Sequence, residues 1–341
     1  MTATTQIDPP KTRKKQNITA SLLQNINHSF INPLSQKLEP LNKIVTQKLA
    51  QFGLRDSSKR TRVYHLWAGK NVFFFHGRLI CGPDPKGLIL TSTSIILSTW
   101  IFTVYSPFDD FTFISIFSLI LTSLVFVNMI LVSGIDPGII PRARRGDIQR
   151  TDSSRGARKS RTVVVNGVAL KSKYCKVCNI FRPPRSSHCA ICDNCVQKFD
   201  HHCPWLGQCI GLRNYRFYLA FILSSLVFFG YILTFSCWRI HKRIQTSGTG
   251  FIGLIKNWPE TMALASFSFA AAWFSLGLSG LHLYLVAINQ TGYEKFRQRY
   301  ATSGNPFNKG ILSNVKEALF SPMPPSAVDF RGEVSDGDTL V

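Results

Sequence analysis

Nine cysteines occur in this chain of 341 residues, and seven of them fall between Cys175 and Cys209. Their spacing is that of metal ligands: Cys175-x2-Cys178, then His188-Cys189-x2-Cys192-x2-Cys195, then Asp200-His201-His202-Cys203, and last Cys209. A Cys-x2-Cys turn directs two thiolates at one ion, as tetrahedral zinc requires. A disulfide framework would use the same residue type, but interleaved histidines favour metal. A closed structural site takes four ligands, so a pair of Cys3His sites consumes six cysteines and two histidines. The block offers seven cysteines and three histidines. One thiol and one imidazole are left over, and spacing alone leaves open which. The run Asp200-His201-His202-Cys203 is suggestive, because an acid, an imidazole and a thiol are the inventory of an activated nucleophile and its base.

The elements that must position this block are membrane helices. Residues 87–105, 111–132, 217–238 and 261–288 contain no Asp, Glu, Lys or Arg. Each stretch matches the roughly 20 residues a helix needs to cross a hydrocarbon core of about 30 Å. A charge at mid-span costs about 2.5–3.5 kcal/mol, so four charge-free runs are a strong pattern. The expected fold is an all-α polytopic membrane protein with four spans and a zinc-bound cysteine-rich domain between the second and third. The expected segments are an N-terminal arm over 1–86, helices 1 and 2 over 87–132, a loop over 133–216 with its cysteine-rich core at 173–216, helices 3 and 4 over 217–288, and a C-terminal segment over 289–341.

Net charge is +22, from 40 basic and 18 acidic residues. In a soluble chain that surplus would suggest a nucleic-acid partner; the spans exclude that reading. With four spans the termini and the central loop share one side, and that side holds 36 of the 40 basic residues. The positive-inside rule makes it the cytosol. Thiols stay reduced there, which again favours zinc over disulfides. The arginine-rich run from Arg142 to Arg161 reads as contact with anionic lipid, not nucleic acid. The aromatic stretch Asn71–Ile80 is too short to span and carries His76 and Arg78, so it belongs at the membrane interface. Residues 1–61 and the tail from Ser321 have compositions that suggest little structure. Cys81, Cys237 and His282 read as ordinary membrane-associated or packing residues.

The string Asp200-His201-His202-Cys203-Pro204-Trp205, inside this block and between a second and a third span, resembles the DHHC family of protein S-acyltransferases (palmitoyltransferases), the plant-type members in particular. Arg182-Pro183-Pro184-Arg185-Ser186-Ser187-His188-Cys189 is similar as well, as are Cys209 to Phe217 and the short Asp136-Pro137-Gly138 after the second span. Thr291-Gly292-Tyr293-Glu294 stands where the family has Thr-Thr-x-Glu, and Gln208 where many members have Asn. Asn305-Pro306-Phe307-Asn308 resembles the aromatic and asparagine segment that braces the family's catalytic region. The resemblance covers roughly residues 62–320.

The resemblance implies one zinc on Cys175, Cys178, His188 and Cys195, and a second on Cys189, Cys192, His202 and Cys209. Cys203 is then the nucleophile, His201 its base and Asp200 the group that orients the imidazole. A free thiol with a pKa near 8.5 is only a few per cent thiolate at neutral pH, so the base matters. The implied reaction moves a long-chain acyl group from acyl-CoA to Cys203 and on to cysteines of membrane-associated proteins. Trp205 would pack near the thioester, and Arg182, Arg185, Lys198 and Arg213 are candidates for the CoA phosphates. The implied location is an endomembrane or the plasma membrane. The competing readings are a zinc-binding membrane adaptor, which would need neither His201 nor Cys203, and a channel or transporter, which would show more than one ionisable residue at mid-span.

Overall fold

The computed structural model describes residues 61–105, 112–143, 160–248 and 250–334. The arm before Thr61, the basic residues from Arg144 to Lys159 and the tail after Val334 lie outside them. Among the described residues the helices are α1 (Lys86–Val104), α2 (Thr112–Gly134), α3 (Tyr215–Ser247), the short α4 (Phe251–Asn257), α5 (Pro259–Ala287), α6 (Gly292–Phe296) and α7 (Ile311–Phe320). Four of them, α1, α2, α3 and α5, are long and apolar enough to cross a membrane. They expose Ile89, Trp100, Phe113, Phe269 and Trp273, large apolar side chains of the kind lipid covers. Their inner seam is Ile95 and Phe102 of α1, Val125 and Met129 of α2, Phe228 and Ile232 of α3, and Leu264 and Val286 of α5.

Apolar packing gives no specificity where lipid is as apolar as leucine, so hydrogen bonds between helices fix the register. Thr99 Oγ1 and Thr122 Oγ1 lie 2.7 Å apart across α1 and α2, and the Tyr231 hydroxyl donates to the Ile114 carbonyl at 2.8 Å. Arg239, buried just past the apolar part of α3, donates to the Phe102 carbonyl at 3.0 Å and sits 4.3 Å over that residue's ring.

The membrane part is all helix, as expected; the aqueous parts add short antiparallel ladders. These are β1 (Thr61–Arg62) with β11 (Glu333–Val334), β2 (Val72–Phe74) with β3 (Leu79–Cys81), β4 (Ser160–Val165) with β5 (Val168–Cys175) and β6 (Ile180–Phe181), β7 (Ser187–Cys189) with β8 (Asn194–Val196), and β9 (His201–Cys203) with β10 (Gln208–Ile210). The stretch Asn71–Ile80 forms the β2–β3 hairpin. It exposes Phe74 and Phe75 and turns Phe73 inward onto Phe330, with ring centroids 5.3 Å apart. Residues 321–334, whose composition suggests disorder, are folded. Val328 and Phe330 complete a small core with Val63, Ile80 and Ile139, and Phe330 meets Trp67 edge-on at 5.0 Å. Two aromatic contacts anchor a segment that shows no periodic pattern.

Glycines let the start of α1 touch the cysteine-rich domain backbone to backbone. A Cβ on Gly87 would lie 1.7 Å from the Pro204 carbonyl oxygen, and one on Gly82 would lie 1.8 Å from that of Gly207. Gly207 itself has φ +61, which a residue with a side chain adopts only with strain. Gly87→Ala is therefore expected to destabilise the protein by about 1–3 kcal/mol through overpacking. The check is the thermal midpoint of purified protein, with Gly280→Ala in α5, where a Cβ meets nothing within 4 Å, as the control that stays near wild type.

Candidate active site and zinc centres

Strand alternation builds both metal centres. In β7–β8, His188 stands directly opposite Cys195; in β9–β10, His202 stands directly opposite Cys209. Directly opposed residues project from the same face with Cβ atoms about 5 Å apart, so each ladder brings one imidazole and one thiol together. Cys175 at the end of β5 and Cys189 at the end of β7 add two more, and the turns that follow supply Cys178 and Cys192. The four ligand atoms of Cys175, Cys178, His188 and Cys195 lie within 4.8 Å of one another, and so do those of Cys189, Cys192, His202 and Cys209.

These distances fit zinc. Zn–S bonds of about 2.3 Å and a Zn–N bond of about 2.0 Å in a tetrahedron put sulfur and nitrogen about 3.5 Å apart. His188 Nδ1 is 3.5 Å from Cys178 Sγ and 3.8 Å from Cys195 Sγ; His202 Nδ1 is 3.8, 3.4 and 3.7 Å from the sulfurs of Cys189, Cys192 and Cys209. The other nitrogen of His188 faces Asp193 Oδ1 at 3.4 Å, the carboxylate support that ligating histidines commonly have. Thiol crowding points the same way. Hydrogen bonding with Cys195 pulls Cys178 down to about 5 while Cys195 is driven far up, and the Cys189 sulfur pushes Cys192 up to about 12. Such sulfurs cannot all ionise beside one another without a cation, and a divalent ion reverses that conflict. All four donors of each set are protein atoms, so an ion held there would have a closed shell.

The same alternation separates His201 and Cys203 from the second zinc. In β9 the side chains of residues 201 and 203 project opposite to that of 202. His202 faces its cysteines, while His201 and Cys203 both line a cavity of about 580 Å³ walled by α1, α3 and α5 and open on one side. Cys203 is 4 % exposed. Leu90, Ile95, Phe221, Ile222, Phe229 and Phe267 are among the apolar residues of the walls. Trp205 stands at this cavity with its ring 6.1 Å from that of Phe274.

Behind Cys203, the carboxylate of Asp200 is buried and both its oxygens are engaged. Oδ1 is 2.6 Å from His201 Nδ1, and Oδ2 accepts from the Gly292 backbone N–H at 2.7 Å. Burial alone would lower the His201 pKa, but hydrogen bonds to Asp200 and Cys203 outweigh it and raise the imidazole to about 9. An imidazole that basic holds firmly the proton a thiol gives up.

A model of the DHHC palmitoyltransferase family matches residues 169–299. Over 290 residues the chain is 42% identical to the probable protein S-acyltransferase 6 of Arabidopsis thaliana, covering 80% of this chain and 71% of that relative. The probable protein S-acyltransferase 7 of the same plant is also 42% identical, with 80% of this chain and 66% of the relative covered. A palmitoyltransferase of Danio rerio, ZDHHC18-A, is 38% identical over 93% of this chain and 71% of its own length. This chain belongs to the DHHC family of protein S-acyltransferases.

Within this DHHC enzyme, the residue that departs from Thr-Thr-x-Glu explains itself. Gly292 contributes its backbone N–H, not a side chain, to Asp200, and a Cβ there would stand 3.2 Å from Oδ1. Thr291 and Glu294 form a capping box at the start of α6: the Thr291 hydroxyl accepts from Glu294 N and Glu294 Oε2 accepts from Thr291 N. Glu294 then takes both arms of Arg185, at 3.0 and 2.8 Å, and Arg185 lies 4.5 Å over the Phe307 ring. Gln208 fills the other departure: its amide donates to the Ile80 and Ser133 carbonyls and accepts from Cys209 N.

The four cations proposed for CoA part company. Arg185 bonds Glu294 and Asn289, Arg213 bonds Asp136 and the Pro324 carbonyl, and Lys198 pairs with Glu317. Arg182 and Arg185 both line a cleft of about 400 Å³ that also takes in Lys171, Lys173, Arg297 and Arg299, four cations with no motif to mark them. Sequence reading also passed over Asn289 and Asn314. Asn314 donates to the Ala287 carbonyl and Asn305 to those of Ile288 and Asn289, so two asparagines satisfy the open end of α5.

Two zinc ions per chain are expected by elemental analysis, and Cys195→Ser or Cys209→Ser should lower that figure together with the folded yield. Glu294→Ala leaves the buried Arg185 without its counter-ion, and should cost about 3–5 kcal/mol, seen as a lower unfolding midpoint.

Proposed function

We propose that Cys203 carries the acyl group in a two-step transfer, with His201 as its base and Asp200 as the group that holds the imidazole. The observation that carries this reading is the position of Cys203, the one thiol of the block outside both ligand sets, opening onto the apolar cavity beside His201. In the first step the Cys203 sulfur, its proton passed to His201, attacks the thioester carbonyl of acyl-CoA. The carbonyl is restored as CoA leaves as its thiol, taking that proton. In the second step the sulfur of a protein cysteine, deprotonated by His201, attacks the Cys203 thioester, and Cys203 leaves as the thiol. Each step trades one thioester for another, so positioning counts for more than driving force. Splitting the transfer lets CoA depart before the protein substrate enters.

The cavity supports a long-chain acyl group, palmitoyl among them. Each methylene moved from water into an apolar site contributes about 0.8 kcal/mol, and this pocket runs from Cys203 up between the membrane helices. The cleft lined by Lys171, Lys173, Arg182, Arg297 and Arg299 offers the charge that CoA phosphates require. The zinc ions, held in closed shells, supply folding energy and no open coordination position. The basic surplus on the side of the termini and the cysteine-rich domain supports a cytosolic active site, on endomembranes or the plasma membrane. Its substrates are then membrane-associated proteins with cytosolic cysteines.

Incubation of purified protein with labelled palmitoyl-CoA tests the reading. A hydroxylamine-sensitive label on wild type that disappears in Cys203→Ser, with both zinc ions retained, is the expected result. A wild-type protein that binds zinc and never labels would instead be the membrane-anchored adaptor.

A further inference from the structure

His282 lies in α5, where a buried ionisable side chain in a membrane helix needs a reason. It is 3 % exposed and plays no part in the transfer described above. Its Nδ1 is 3.1 Å from the Tyr215 hydroxyl at the first turn of α3. One of its ring nitrogens is within 4.8 Å of both a carboxylate oxygen of Asp200 and a ring nitrogen of His201. Tyr218, one turn on from Tyr215, stacks edge-on against both imidazoles. Its ring centroid is 4.9 Å from that of His282 at 77° and 5.2 Å from that of His201 at 72°.

We propose that His282, seated by Tyr215, is a positioning residue that holds the Asp200–His201 pair in line with Cys203. This inference rests on the assignment of Cys203 as nucleophile and His201 as its base. The Nδ1 bond to Asp200 fixes the His201 ring at one point and leaves it free to rock about that point. Tyr218 closes one side of that motion, and His282 occupies the space beside the carboxylate. A phenylalanine at 282 would fill that space equally, yet it would leave the Tyr215 hydroxyl without its partner and put carbon beside a buried carboxylate. The difference between an apolar wall and a polar seat is therefore measurable. It decides between simple packing and positioning.

The experiment compares wild type, His282→Phe, His282→Asn and Tyr215→Phe as full-length zinc-loaded protein, by the single-turnover rate of Cys203 acylation with palmitoyl-CoA. Displacing a catalytic group by a fraction of an ångström costs on the order of 10- to 100-fold in rate, so His282→Phe is expected to slow acylation by that factor. Its zinc content should match wild type, and its KM for palmitoyl-CoA should stay within about twofold, in the manner of a group acting only on the chemical step. His282→Asn, which keeps an amide near the Nδ1 position, should recover much of the loss. Tyr215→Phe should slow the reaction less, and add little to His282→Phe, because it acts through the same imidazole. A wild-type rate in His282→Phe overturns the proposal, as does a loss that follows zinc content or appears only in KM. A wild type that fails to label at Cys203 removes the parent reading, and this one with it, a result that no position-282 variant could mimic.

Discussion

The period-2 alternation of a three-residue strand governs this site. In β9, His202 points one way and His201 and Cys203 the other. An ion on the ligand set completed by Cys209 of the facing strand would keep β9 from slipping, since a shift of one residue would exchange the two faces. The grouping of metal ligands and the placement of Cys203 are thus one geometric decision. A loop with little apolar core of its own could not hold a thiol at a membrane surface by packing alone. Zinc on the two ligand sets would supply on the order of 10–16 kcal/mol per site toward holding it.

The membrane half contributes the other part of the constraint. Glycines at positions 82 and 87 let α1 reach the turn after Cys203, and α6 reaches Asp200 through the Gly292 amide. Arg185 of the cysteine-rich domain locks onto Glu294 of α6, whose side chain also closes the capping box that aims that amide. A buried ion pair is poor evidence of net stability. Here its function is registry: it ties the zinc-bound domain to the segment after α5 at one setting. Asn305 and Asn314 fix the same segment to the end of α5.

Much of this was legible in the sequence because membranes and metals leave strong marks. Four charge-free runs read as spans, and ten thiols and imidazoles at ligand spacing fit two centres with one of each left over. The roles of Asn289, Asn314, Lys171 and Arg297 left no such mark, since a lone asparagine or a surface cation has the same local pattern whatever it touches. Residues 321–334 were misjudged for a related reason. Their order comes from Phe330 meeting Trp67 and Phe73, contacts between opposite ends of the chain that no window of neighbouring residues contains. The charges of Arg185 and Arg213 are visible in the sequence, while the carboxylates they pair with are distant in the chain.

The central claim is that Cys203 stands outside both zinc shells because β9 turns it away from His202. Zinc X-ray absorption on wild type and Cys203→Ala tests it most directly. The account predicts the same average shell of three sulfurs and one nitrogen in both proteins, at two zinc ions per chain. A fall in the sulfur count in Cys203→Ala would show that the thiol is a ligand, and would contradict the account.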